Sequence, residues 1–190
     1  VQPSDLYFPE GLKSMVDKLH DAALKFGVHL MRGIPRVAVE RNLPIEGTNY
    51  TARDIYIERD NCTWCEYMHG VDMSKPGAQE YYNSIFNQFA EWGIDFVKID
   101  DVSHKPAEIE AYVEAIKQCG RQMVLSLSPG GDSNIKYLDT YRKTNMVRTT
   151  PDIWDNQRSI DLSFESMRKW QGLEKKGFYP DLDMVPFGEL

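Results

Sequence analysis

Trp92-Gly93-Ile94-Asp95-Phe96-Val97-Lys98-Ile99-Asp100-Asp101 is the stretch on which the fold turns. Trp-Gly ends an amphipathic segment, since glycine suits the left-handed position that closes a helix. The run Ile94 to Ile99 then has the length and β-branched content of a buried strand. Side chains alternate along a strand, so Lys98 and Asp100 project to the same side. An ammonium beside a carboxylate favours the charged form that a nucleophile needs. The plainer alternative is a strand followed by a helix-capping aspartate, and it applies to Asp101 more than to Asp100.

Upstream, a helix starting near Ser74-Lys75-Pro76 carries Ala78, Tyr82, Ile85, Phe89 and Trp92 on one face. Earlier still, Pro9 opens a helix whose apolar positions run from Leu12 to Phe26, with Gly27 as its cap and Val28 to Met31 as the next strand. Downstream, the spacing predicts a helix from Pro106 to Gly120, a strand from Met123 to Leu127 and a polar helix about Asn134 to Lys143. A short strand at Met146 to Thr149, a helix over Ser159 to Leu173 and a strand at Leu182 to Val185 follow. Helices alternating with short apolar strands make parallel β/α units. Residues 32–73 break the rhythm and read as a long loop. Its Tyr50, Tyr56, Trp64 and Tyr67 favour a binding loop over disorder.

Two parallel architectures fit. A doubly wound sheet needs a switch point, often with a glycine-rich phosphate loop, but Ser128-Pro129-Gly130-Gly131 matches neither the dinucleotide nor the Walker pattern. A (β/α)8 barrel gathers its site at the C-terminal strand ends. Here those ends are polar: His29 and Arg32, Lys98 to Asp101, Ser126 and Ser128, Arg148 to Asp152, and Asp181 with Asp183. The barrel is favoured, and residues 1–190 read as a segment of a single catalytic barrel domain.

Composition narrows the function. The chain is 42% hydrophobic and 27% charged, which suits a globular domain and excludes disorder, collagen and coiled coil as its main theme. A net charge of -7 argues against a nucleic-acid partner. No apolar run reaches the ~18 residues of a membrane span, so no membrane partner is expected. Cys62, Cys65 and Cys119 cannot build a disulfide framework. Cys62-x-x-Cys65 is half of a zinc site that His69 or His104 would have to complete; a local disulfide and plain thiols are the other readings.

A second carboxylate lies in Val147-Arg148-Thr149-Thr150-Pro151-Asp152, just past a strand end two strands on from Asp100. An acid catalyst must be protonated when it acts, and a nearby anion such as Asp100 promotes that, while Arg148 opposes it unless paired elsewhere. A loop aspartate capping the turn at Ile153-Trp154 is the alternative. Two carboxylates on one barrel rim are what glycoside hydrolysis uses.

Four motifs, in order along the chain, resemble glycoside hydrolase family 27, the α-galactosidase and α-N-acetylgalactosaminidase family. The strand from Trp92 to Asp101 resembles the family's nucleophile strand, closed by Lys-x-Asp. Phe8-Pro9-Glu10-Gly11-Leu12 with Leu24-Lys25-Phe26-Gly27-Val28 resembles its Phe-Pro-x-Gly helix and following strand. Arg148-x-x-x-Asp152-Ile153 resembles its acid/base segment, and Asp181-Leu182-Asp183-Met184 its Asp-Pro-Asp-Met strand. The resemblance implies a retaining exo-α-glycosidase on a (β/α)8 barrel, present here as about five β/α units. Asp100 would be the nucleophile and Asp152 the acid/base. Lys98 and Arg148 would hold sugar hydroxyls or the 2-substituent, with His29, Trp64 and Asp101 as further substrate contacts. Ser128 falls where the family reads the group on sugar carbon 2; a small residue there, with Gly131 near it, leaves room for N-acetylgalactosamine or for a reshaped pocket.

The chain departs from the family in places. His29 stands where a substrate-contacting tyrosine is common, and Val102 replaces a half-cystine. Trp64 fits a stacking or a core role equally. The family's first two strands would precede Val1 and its last would follow Leu190. The implied partner is a carbohydrate, a terminal α-galactoside or α-N-acetylgalactosaminide, with no metal or organic cofactor. Family resemblance alone implies export: secretion, periplasm or lysosome. Asn49-Tyr50-Thr51 and Asn61-Cys62-Thr63 match the glycosylation pattern, which has meaning only outside bacteria. The competing readings are a sugar-binding or inactive barrel fragment, and a metal-dependent barrel lyase or aldolase using Asp100, Asp101 and Asp183.

Overall fold

The computed structural model describes residues 3–62 and 64–184. Helix α1 (Gly11–Asp21) leads into β1 (Gly27–Met31). It buries Leu12 and Val16 and stops short of its predicted end. The stop is local: Ala23 takes a left-handed φ of 59°. Its N–H bonds the His20 carbonyl and the Leu24 N–H bonds the Leu19 carbonyl, a closure usually left to glycine. Gly27 is therefore no cap. It opens β1, where a Cβ would sit 2.9 Å from that of Phe96.

The expected long loop is a small folded insertion instead. It contains β2 (Ile34–Pro35), α2 (Arg36–Glu40), α3 (Ala52–Ile55), β3 (Tyr56–Asn61) and β4 (Met68–Val71). Its strands form an antiparallel sheet in the order β2-β4-β3. None of these elements is longer than six residues, too short to show a helical or strand period, so the sequence reads as loop. Ile34, Ile45, Ile55 and Val71 join the main core.

From there the chain alternates: α4 (Ala78–Trp92), β5 (Phe96–Asp100), α5 (Pro106–Gln118), β6 (Val124–Ser128), α6 (Leu138–Tyr141), β7 (Met146–Arg148), α7 (Gln157–Trp170) and β8 (Tyr179–Asp181). The predicted polar helix about Asn134 to Lys143 is reduced to one 3-10 turn (Ile135–Tyr137) and the single turn of α6. The last strand lies three residues before its predicted place, and Val185 of that prediction is outside the described residues. Pro180 hides it from propensity; a proline is tolerated because β8 pairs only with β7 among the described residues.

β1, β5, β6, β7 and β8 form one parallel sheet in chain order. A doubly wound sheet would reverse its order at a switch point; this one does not. It is the wall of a partial TIM barrel with five strands. Val97, Ile99, Leu125, Leu127 and Val147 alternate outward and are fully or almost fully buried. They belong to one core with Tyr82, Phe86 and Phe89 of α4 and Ile109 and Tyr112 of α5. Each such aliphatic contributes about 1.5–3 kcal/mol over an exposed position. Alternation then turns His29, Lys98, Asp100, Ser126 and Ser128 to the other face. α7 buries only Trp170 and leaves Ile160, Leu162, Phe164 and Met167 exposed.

Candidate active site

Strand register brings the polar ends into one rank. Met31, Asp100 and Ser128 are direct neighbours across β1, β5 and β6. Ser126 faces Met146, so Ser128 lies level with Arg148, and Arg148 faces Asp181. Above this rank opens a cavity of about 540 Å³. Trp64, Asp100, Asp101, Ser128, Arg148 and Asp152 all line it. That is enough room for a small ligand.

Asp100 is held at the end of β5. Its Oδ1 accepts the Asp101 N–H at 2.8 Å, and its Oδ2 lies 3.4 Å from His29 Nε2. Asp152 sits opposite on the loop after β7, its side chain 57% exposed. That loop is laced to the segment around β8. The Thr149 N–H bonds the Asp181 carbonyl at 2.8 Å, and the Thr150 hydroxyl bonds the Leu182 carbonyl at 2.9 Å. Arg148, nearly buried, spreads its guanidinium over three neighbours. Nη2 donates to Asp152 Oδ1 at 2.5 Å and to Asp183 Oδ2 at 3.2 Å, and Nη1 reaches Ser128 Oγ at 3.5 Å. Arg148 is thus shared between Asp152 and Asp183 rather than committed to the acid candidate alone. Ser128 is 1% exposed, fixed between Asp100 and Arg148.

Two expected contacts are not among the residues lining the cavity. Lys98 lies 3.8 Å from Asp183, and His29 lies against Asp100. Trp64 does line the cavity and is 62% exposed, which removes the core alternative for it. Asp101, expected as a substrate contact, borders the cavity, and it is also tied to Arg32: its carboxylate accepts from Nη2 at 3.0 Å and its carbonyl from Nε at 2.6 Å.

Asp183, which the sequence offered as a polar strand end and as a carboxylate of the lyase alternative, ties Lys98 to Arg148. It holds a left-handed φ of 70°, as Asp101 (60°) and His104 (57°) do at the same end of the sheet. Strained non-glycine residues gather at functional sites. Arg32 was legible only as a polar residue at a strand end and Asp60 not at all, because their partners are distant in sequence.

The carboxylates of the lyase alternative do not converge: Asp101 is spent on Arg32, and Asp183 on Lys98 and Arg148. Cys62, Cys65 and Cys119 are free thiols. His69 Nδ1 bonds Asn61 at 2.7 Å and His104 packs on Tyr137, so neither completes a zinc set with the cysteines. Among the described residues no cluster of three His, Cys, Asp or Glu side chains is arranged to hold a metal ion.

Comparison with known proteins agrees with this architecture. The model of the glycosyl hydrolases family 31 TIM-barrel domain matches residues 3–159. The α-galactosidase 3 of Hypocrea jecorina is 28% identical over 92% of this chain and 31% of its own length. The GH27 β-L-arabinopyranosidase of Geobacillus stearothermophilus superposes with a TM-score of 0.94 at 44% identity, covering 99% of this chain and 46% of that one. A Bacillus halodurans protein described as an α-N-acetylgalactosaminidase gives a TM-score of 0.81 at 41% identity, with the same coverage of 99% and 46%. The chain spans less than half the length of these relatives. The matching model is that of family 31, whereas the similar solved barrel is named for family 27. The chain belongs to the glycosyl hydrolase TIM-barrel family that this model describes, as a family 27-like segment of the barrel.

Proposed function

We propose that this chain carries the catalytic centre of a retaining exo-glycosidase acting on terminal galactose-configured sugars. One observation carries the reading: Asp100 and Asp152, from different strand ends, line the same cavity. In the first step an Asp100 carboxylate oxygen attacks the anomeric carbon while protonated Asp152 gives its proton to the glycosidic oxygen. The bond to the leaving group breaks as the bond to Asp100 forms. In the second step the Asp152 carboxylate takes a proton from water, the water oxygen attacks the anomeric carbon, and Asp100 leaves. Arg148 is placed to shift its charge between Asp152 and Asp183 as Asp152 loses and regains its proton. His29 offers a hydrogen-bonding group beside the nucleophile, Lys98 a positive group beside Asp183, and Trp64 an apolar face to a ring at the mouth.

Curated relatives point to α-galactosides. The Geobacillus barrel, far more similar, is a β-L-arabinopyranosidase, and this favours a second substrate reading. The two sugars share their ring configuration and differ in the exocyclic hydroxymethyl group, so one nucleophile and one acid serve both. Buried, small Ser128 also suits a substituent on carbon 2.

The test uses the full natural chain that contains these residues. Aryl α-galactoside, α-N-acetylgalactosaminide and β-L-arabinopyranoside are assayed in parallel, and NMR follows the first-formed anomer. The expected result is turnover of at least one, with retained configuration, abolished in Asp100→Ala. Near-normal turnover in Asp100→Ala, or an inverted first product, overturns the proposal.

A further inference from the structure

Beneath the cavity lies a buried ionic cluster that the reaction above does not use. Arg32, at the end of β1, is 2% exposed. A guanidinium has five N–H donors, and here each has a partner. Nε donates to the Asp101 carbonyl at 2.6 Å. Nη1 donates to Asp60 at 3.2 Å and to Glu108 at 2.9 Å. Nη2 donates to Asp60 at 3.1 Å and to Asp101 at 3.0 Å. The acceptors are themselves fixed. Lys105 bonds Asp60 at 2.6 Å, and the Tyr82 hydroxyl donates to Glu108. The burial of Glu108 pushes its carboxyl upward, against the pull of Arg32.

Two glycines border the cluster. At Gly33, φ is 90° and a Cβ would come within 2.0 Å of the His69 carbonyl oxygen. At Gly70 a Cβ would lie 2.2 Å from Asp60 and 2.9 Å from Arg32. Gly70 thus leaves room for the guanidinium and Asp60 directly, while Gly33 lets the chain after Arg32 run close against the β4 backbone.

Burying such charges contributes little net stability, since the desolvation cost offsets most of the attraction. Its geometry serves something else. The Arg32 N–H bonds the Asp100 carbonyl at 3.0 Å, and the Arg32 side chain holds both the carbonyl and the carboxylate of Asp101. Asp101 is thereby kept at its left-handed φ of 60°. Its own N–H then meets Asp100 Oδ1 at 2.8 Å. We infer that Arg32 is a positioning residue that fixes the rotation of the Asp100 carboxylate through the Asp101 peptide. This rests on the reading of Asp100 as nucleophile. One carboxylate oxygen is anchored, and the other stays on the His29 side. Arg32 touches no substrate; it acts on the angle of attack.

The experiment compares Arg32→Lys and Asp101→Asn with Asp95→Asn, a destabilising change at the opposite end of β5, all in the full natural chain. Arg32→Lys keeps the charge and loses the fork. Asp101→Asn keeps the shape and weakens the pair. The readouts are melting temperature, kcat and KM on whichever aryl glycoside the wild type turns over, and the rate of covalent trapping by the matching 2-deoxy-2-fluoroglycosyl fluoride. Well below each melting temperature, kcat and trapping rate fall together by about 10- to 100-fold in the first two variants, the cost of a misaligned reacting group, with KM within about threefold. Asp95→Asn keeps its kcat. The inference fails if Arg32→Lys and Asp101→Asn keep wild-type kcat, or lose it only in step with the folded fraction. If Arg32→Lys does not fold, Asp101→Asn decides alone. Turnover surviving in Asp100→Ala sinks the proposed function itself. Turnover lost there but intact in Asp101→Asn and Arg32→Lys sinks this inference only.

Discussion

The two ends of the β5 strand are built on opposite charge plans. At its start, Asp95 is one carboxylate among donors: His20 at 2.7 Å, Arg121 at 2.9 Å, the Phe26 N–H at 3.0 Å and Lys25 at 3.3 Å. At its far end two cations, Arg32 and Lys105, meet the three carboxylates of Asp60, Asp101 and Glu108. The first knot is satisfied and faces no carboxylate partner: it ties α1, β1 and β6 to the base of the sheet. The second leaves acidic groups to spare, with Asp100 and Asp152 unclaimed by it and open to the cavity. In a barrel the lower face carries stability and the upper face chemistry. On the proposed reading of Asp100 and Asp152, the same strand closes off charge at its base and leaves acidic groups in excess at the cavity.

That contrast can be broken by mutation, beginning at the upper end. Asp100→Ala should lower kcat by roughly 10⁴-fold or more, as removal of a nucleophile does, with melting temperature nearly unchanged. Asp152→Ala should cost about 10²- to 10⁴-fold on substrates with poor leaving groups, the usual contribution of a general acid. The loss should shrink for a 4-nitrophenyl glycoside, which needs little protonation to leave. An equal loss on both substrates contradicts the acid role. Trp64→Ala should raise KM by about five- to tenfold, the equivalent of roughly 1 kcal/mol of stacking, and spare kcat.

The lower end should respond in the other currency. Asp95→Asn should destabilise by about 0.5–3 kcal/mol, read from thermal or urea unfolding, and leave kcat alone. The pH dependence follows from the same group. Burial works to raise the Asp95 carboxyl, but the Phe26 N–H, His20 and Lys25 outweigh it and hold the group well below the ordinary aspartate range. A depressed folded value means the stabilisation is complete above the unfolded value of about 3.9 and is lost as the pH falls through the lower folded value. Melting temperature measured downward from pH 6 should therefore fall less steeply below about pH 4 in Asp95→Asn than in the wild type. Parallel curves would remove the knot from the account of stability.

The sequence carried the barrel rhythm well where elements were long. α4 and α5 bury their apolar faces as their spacing predicts, and the strand expected over Ile94 to Ile99 is present as β5, starting two residues later and ending at Asp100. It failed where elements were short or conformation was set by contacts across the fold. The insertion between Gly33 and Val71 folds through pairing of strands too brief to show a period. Ala23 closes α1 without the glycine that would have signalled it. Tyr-Pro-Asp makes the last strand against propensity, because β7 beside it supplies the hydrogen bonds.

The candidate site divides the same way. Asp100 and Asp152 were visible as carboxylates at strand ends, and register put them on one cavity. Arg32 was visible only as a polar residue after a strand. Its partners at positions 60, 101 and 108 come from three different elements, and no local pattern joins them. The tie of Asp101 to Arg32 was hidden for the same reason: Asp100 is its neighbour in sequence, and Arg32 is not.

The central claim is that Asp100 bonds covalently to the sugar while Asp152 works across the cavity from it. Incubating the full natural chain with a 2-deoxy-2-fluoroglycosyl fluoride of galactose configuration, then digesting and sequencing the modified peptide by mass spectrometry, tests it most directly. The account predicts one sugar per active chain, attached to Asp100. Attachment to Asp152, Asp183 or any other residue, or clean inactivation without any covalent sugar, would contradict it.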